Sequence, residues 1–242
     1  MIEQETSTDM QTIRHQRQMI GAIGLTLPFV LLIGVWVFGV PMQSSISAFF
    51  YTEMREVFVS ASAGVGLFLL TYQGYPRRSG EILTDRLVSG VGGIAVFATA
   101  FIPTLCTRGA CDDAPTLLDR LLPPALDGVQ DAIHLVAAGV FLTAMGVISI
   151  RLFTRCSVKS PKLHKQRRNL CYRIFGWTIL GMVALLGIVK LGFPQLGQVW
   201  DTRWNFTFWV ESVALWAFGL SWLLKGRTLA QEMPYFFYAE AD

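Results

Sequence analysis

Six apolar stretches, each close to the length that crosses a bilayer, recur along the 242 residues: 19–40, 57–72, 87–105, 132–153, 174–193 and 204–225. A helix needs about 20 mostly apolar residues to traverse ~30 Å of hydrocarbon. In lipid every backbone N–H and C=O must be satisfied within the segment, so such runs fold as helices. Composition agrees: 52% of residues are hydrophobic and 15% charged, against about 25% charged in soluble domains. The expected fold is all-α, a polytopic membrane protein with six transmembrane helices. It divides into a cytoplasmic tail over 1–18, a transmembrane domain over 19–225 and a cytoplasmic tail over 226–242. No length is left for a separate soluble domain. The first apolar run has 22 residues, longer than the core of a cleaved signal peptide, and reads as a signal anchor. Pro28 inside it is tolerable, because neighbouring groups in a bundle satisfy the carbonyl it frees.

Sidedness follows from Lys and Arg. With the N-terminus inside, the cytoplasmic set is Arg14, Arg17, Arg77, Arg78, Arg86, Arg151, Arg155, Lys159, Lys162, Lys165, Arg167, Arg168, Arg173, Lys225 and Arg227. The outer set is Arg55, Arg108, Arg120, Lys190 and Arg203. Fifteen against five predicts both termini in the cytoplasm and a place in the cell inner (plasma) membrane. Cys106 and Cys111 then face outward, with four residues between them in the chain, and read as a small-loop disulfide. Cys156 and Cys171 face the reducing side as thiols. Small residues at Ser60/Gly64, Ser62/Gly66 and Ser89 to Gly93 predict close packing of the second helix on the third.

One carboxylate interrupts the last span, 204–225. Glu211 lies seven residues after Trp204, roughly 10 Å below the outer end at 1.5 Å per residue. An ionised group at that depth costs about 3 kcal/mol or more without a partner or water. Candidate partners map to the same side. Asp131 and His134 are three apart at the start of the fourth span and share a face. Ser47, Tyr51 and Arg55 lie in the polar connection that enters the second span. Three roles fit Glu211. It pairs with Arg55 or His134 and holds helices together, it belongs to an outward-facing polar pocket, or it packs as a neutral side chain with no special role. In the pocket reading, Ser47, Tyr51, Arg55 and Asp131 bind a ligand, and Glu211 and His134 are the candidate catalytic pair. Asp131 also suits a helix N-cap, and the aromatics around Tyr51 and Trp204 suit a membrane-interface belt.

Several chemistries are excluded. The only histidines are His15, His134 and His164, and two of them fall on the cytoplasmic side, so a three-histidine zinc site in the pocket is ruled out within one chain. The sequence has no H-E-x-x-H, phosphate-cradling glycine loop or G-x-S-x-G elbow. No metal or other cofactor is therefore expected. The stretches SISAFFYTEMREVFV (45–59), RNLCYRIFGW (168–177) and FGLSWLLKG (218–226) resemble an uncharacterised group of bacterial multi-pass membrane proteins, which implies no activity. Ser47-x3-Tyr51 is similar in spacing to the Ser-x3-His element of the alkaline ceramidase and progestin-receptor membrane hydrolases. Those have seven spans and a late His-x3-His. Here Tyr51 stands in place of the histidine and no His-x3-His occurs, so zinc and amide hydrolysis are not carried over.

Two functions remain open. One is a non-enzymatic membrane protein whose outer pocket holds a small molecule or lipid. The other is a membrane-embedded, lipid-modifying hydrolase with Glu211 as base and His134 assisting. The partners expected are membrane lipids and, in a homo-oligomer, further copies of the chain, with no nucleic acid.

Overall fold

The computed structural model describes residues 2–74, 77, 80–104, 106, 127–155 and 163–226, and among these every regular element is helical. Seven α-helices follow in order: α1 (Ile2–Phe38), α2 (Arg55–Thr71), α3 (Asp85–Phe101), α4 (Asp127–Val147), α5 (Leu163–Gly187), α6 (Pro194–Trp204) and α7 (Phe206–Lys225). A 3-10 turn, Ser47–Tyr51, precedes α2, and π-helical turns extend α4 to Leu152 and α5 to Gly192. Four stretches are long and apolar enough to cross a membrane: Gln11–Phe38, Gly128–Leu152, Lys165–Gly192 and Phe206–Lys225. This is a membrane-embedded protein. The helices α2 and α3 hold 17 residues each, at the short end of what spans hydrocarbon.

Several boundaries differ from the sequence reading. The segment 2–18, expected as a tail, continues α1; it contains no Gly or Pro, so nothing halts propagation from the apolar run. Likewise α5 begins at Leu163, well before the expected apolar entry, because the basic stretch 165–173 is rich in Lys, Arg and Gln and holds no Gly or Pro. The connection 194–203 is the helix α6, with Pro194 in its first turn, where a missing N–H costs nothing.

The helices cross on glycines. α1 and α7 run antiparallel, and a Cβ at Gly219 would sit 2.6 Å from Leu25 N and 2.7 Å from Gly21 O. α4 and α5 meet at Gly146 and Gly176, where a Cβ at Gly176 would lie 2.9 Å from Gly146 O. α2 packs on α3 as expected, with a Cβ at Gly93 falling 3.1 Å from Gly66 O. Small side chains let backbones approach to this distance, where dispersion is strongest in lipid.

The buried interior forms two hydrophobic clusters. One, toward the end of the bundle where Gln18 meets Gly226, centres on Leu69, Met145, Phe153, Phe218 and Trp222. The other, toward the opposite end, centres on Leu31, Phe49, Phe58 and Phe208. Leu215 touches both.

Charged groups tie the terminal end together. Arg155 pairs with Glu81 and lies 3.3 Å from the buried carboxylate of Asp85. Gly74, at φ +61°, passes so close to Asp85 that a Cβ there would meet Asp85 Oδ2 at 2.2 Å, so only glycine fits. Arg17 donates to the Tyr72 hydroxyl, 3.1 Å. Lys225 donates to Phe153 O and lies over the Phe153 ring. Together these contacts link the ends of α1, α2, α3, α4 and α7.

Candidate functional site

At the other end, the connection after α1 folds inward instead of crossing the surface. Gln43, Ser47, Ala48, Phe49 and Phe50 are all buried. Non-helical backbone is tolerated at such a place only if its polar groups find partners in protein. Here α7 supplies them. The first N–H groups of any helix lack intrahelical acceptors. Phe208 N donates to Ser44 O at 2.7 Å, and Thr207 N to Asp201 Oδ1 at 2.9 Å. In return Ile46 N donates to Glu211 Oε2 at 2.7 Å. Asn205 makes the sharp entry into α7 in the left-handed region, φ 50°, which asparagine tolerates better than most residues. Lys190, in the π turn that extends α5, pairs with Asp201 and anchors α6.

Between the two hydrophobic clusters lies a cavity of about 70 Å³. Its walls come from Ile23, Gly24 and Leu27 of α1, Ile46 and Ser47 of the inward segment, and Phe58, Ala61, Ser62 and Val65 of α2. Val96 and Thr99 of α3, Ala138, Phe141 and Leu142 of α4, and Glu211, Leu215 and Phe218 of α7 complete it. The wall is mainly hydrocarbon. Its polar side chains are Glu211, Ser47, Ser62 and Thr99, and it carries no basic side chain. Thr99 Oγ1 donates to Ala95 O, and the Ser47 hydroxyl lies 3.3 Å from that of Ser45. Oε2 of Glu211 is engaged by Ile46; among the described residues no hydrogen bond reaches Oε1.

The structure divides the expected site residues into groups. Ser47 and Glu211 share the cavity. Tyr51, Asp131 and His134 do not line it. They bind the segment that follows α3: Tyr51 Oη donates to Thr104 O at 2.8 Å, Thr104 Oγ1 to Asp131 Oδ1 at 2.7 Å, and His134 Nδ1 to Ile102 O at 2.6 Å. The carbonyl can only accept, so His134 carries its proton on Nδ1. His134 lies one helical turn before Ala138, a cavity-wall residue of α4. Arg55 turns to Phe50, donating from Nε to its carbonyl at 2.7 Å with the guanidinium 4.4 Å from the ring centroid. The expected contact of Glu211 with Arg55 or His134 is therefore replaced by the Ile46 amide. An uncharged donor two positions past Ser44 does what a cation was expected to do. The cavity that holds Ser47 and Glu211 is mostly apolar and draws on α1 and α3 as well as α2, α4 and α7.

Ser62 and Thr99, absent from the expected set, line the cavity. The spacing of Ser62 to Gly66 had marked it as a packing residue only. Cys106 is disulfide-bonded and Cys171 is a free thiol. Cys111, Cys156, and the carboxylates Asp112, Asp113 and Asp119 lie outside the described residues. Among the described residues no cluster of His, Cys, Asp and Glu could hold a metal ion. Comparison with protein-family models, curated proteins and solved structures finds no match.

Proposed function

We propose that this chain is a six-span protein of the plasma membrane, with both termini in the cytoplasm, that binds a small solute in the central cavity beside Glu211. The carboxylate on the cavity wall carries the reading. Water occupies about 30 Å³ in the liquid, and a cavity of ~150 Å³ holds benzene. A space of about 70 Å³ therefore accommodates a solute of a few heavy atoms. The six spans take α2 and α3 as crossings beside the four longer ones. The end bearing Arg17, Arg155 and Lys225 is then cytoplasmic by charge. The domain limits are 1–18, 19–225 and 226–242, and Cys106 pairs with Cys111 on the outer side.

Glu211 has a structural duty as well, and two substitutions separate the roles. Gln at 211 keeps an oxygen that accepts from Ile46 N and loses only the charge. Ala loses both, at about 1–3 kcal/mol for the orphaned amide. The assay is thermal unfolding of the purified full chain in detergent, against a panel of methylammonium, guanidinium, acetate and ethylene glycol. At least one solute raises the midpoint of the wild type. Ser62→Leu, which fills the cavity, abolishes that rise while remaining folded. Glu211→Ala lowers the solute-free midpoint; Glu211→Gln leaves it near wild type. A panel that shifts wild type and Ser62→Leu alike, or shifts neither, refutes the solute site.

A further inference from the structure

We infer that the solute is a small organic ammonium ion, of the size of methylammonium or dimethylammonium. The inference rests on the cavity reading above and adds its chemistry. Three phenyl rings line the cavity, Phe58, Phe141 and Phe218, all buried. Phe141 and Phe218 meet edge to face, with centroids 5.8 Å apart and planes at 76°. Aromatic faces attract cations, most strongly where water is excluded. Glu211 supplies the one formal charge on the wall. The carboxylate accepts from one neutral donor, and the charged side chains that act on it through space, Lys190 and Asp201, are already paired with each other; a cation in the cavity adds compensation.

Other occupants fit less well. Anions face a carboxylate with no basic group on the wall. A bare alkali ion calls for a shell of oxygens, and beyond Glu211 the wall offers only the hydroxyls of Ser47, Ser62 and Thr99 among hydrocarbon. Methylammonium has a cationic head for Glu211 and a methyl for the rings and aliphatic wall. The volume of about 70 Å³ is roughly that of two waters, which suits two or three heavy atoms. Tetramethylammonium is too large.

The test is equilibrium binding of radiolabelled methylammonium to the purified full chain in detergent, with thermal unfolding run on each variant. Saturable binding is expected, competed by dimethylammonium and not by acetate, methanol or tetramethylammonium. Glu211→Gln weakens it more than about a hundredfold, as loss of a buried ion pair requires. Phe141→Leu weakens it about tenfold through the lost ring. Ser62→Leu blocks it by volume, and decides the matter should Glu211→Gln fail to fold. Methylammonium binding that survives Glu211→Gln or Ser62→Leu lies elsewhere and overturns the assignment. If acetate or ethylene glycol binds in a Ser62-dependent way and methylammonium does not, the ammonium assignment falls and the solute cavity stands. If no solute binds, both fall.

Discussion

Gly219→Ala tests the crossing that brings α1 against α7. The added Cβ would lie 2.6 Å from Leu25 N and 2.7 Å from Gly21 O. Ordinary van der Waals contact begins at 3.4 Å, so the helices must part locally by about 0.8 Å. Both obstructing atoms are backbone and cannot rotate aside. Overpacking of this kind costs about 1–3 kcal/mol, and the rigid partner puts it at the upper end. A gap of 0.5–1 Å also forfeits roughly a quarter to a half of each dispersion contact along the seam. Against this, Ala gains up to about 1 kcal/mol over Gly in helix propensity. The net is a loss of ~2 kcal/mol, or about 4–8 °C for a chain of this size. The control is Gly139→Ala on α4, where a Cβ meets nothing within 4 Å, and where the propensity gain stands alone. Thermal unfolding of both variants in one detergent is the assay. Equal midpoints for the two, or an unchanged midpoint for Gly219→Ala, would show that the α1–α7 backbones are not in the contact described.

Three further outcomes are expected. Arg155→Gln removes the cation beside buried Asp85 and costs about 3–5 kcal/mol; adding Asp85→Asn recovers part of the loss, and strict additivity in denaturant unfolding would deny the coupling. Asn205→Gly keeps the backbone free to hold φ 50°, whereas Asn205→Val costs about 1–2 kcal/mol more; equal stability of the two would remove the left-handed turn from the account. Alkylation of the unreduced protein after unfolding, read by mass spectrometry, leaves Cys106 and Cys111 unmodified and labels Cys156 and Cys171; label on Cys111 would break the proposed pairing.

Hydrophobic run length located the helices well, because the bilayer imposes that length directly. It located the ends poorly where a polar stretch continues a helix with no Gly or Pro to stop it, as in 2–18 and 163–173. Small-residue spacing marked the α2–α3 contact but missed Gly21 against Gly219, since those glycines lie on different helices with no shared spacing. For the site, an intramembrane carboxylate was legible as an anomaly that needs an answer. Its answer was not legible. Sequence displays charged side chains and hides backbone amides, so Arg55 and His134 stood out while Ile46 N did not. Arg55 is drawn off by a carbonyl and a ring only five residues away, and His134 by the carbonyl of Ile102.

The Ile46 bond makes the two readings of Glu211 into one. The carboxylate that lines the cavity also holds the inward segment against α7, through a charge-assisted bond about twice as strong as a neutral one. A cation that shares that charge weakens its pull on Ile46 N, while loss of the segment would open one wall, since Ile46 and Ser47 line the same cavity. These two effects oppose each other at a single side chain, and their net sets one coupling that is the same for docking of 39–54 as for occupancy of the cavity. Phe208 N to Ser44 O holds the segment independently, so the change at Ile46 need not release it. The cavity is then adjusted at one bond while its frame stays fixed, and that is why Gln at 211, which keeps the frame, is the substitution that isolates the charge.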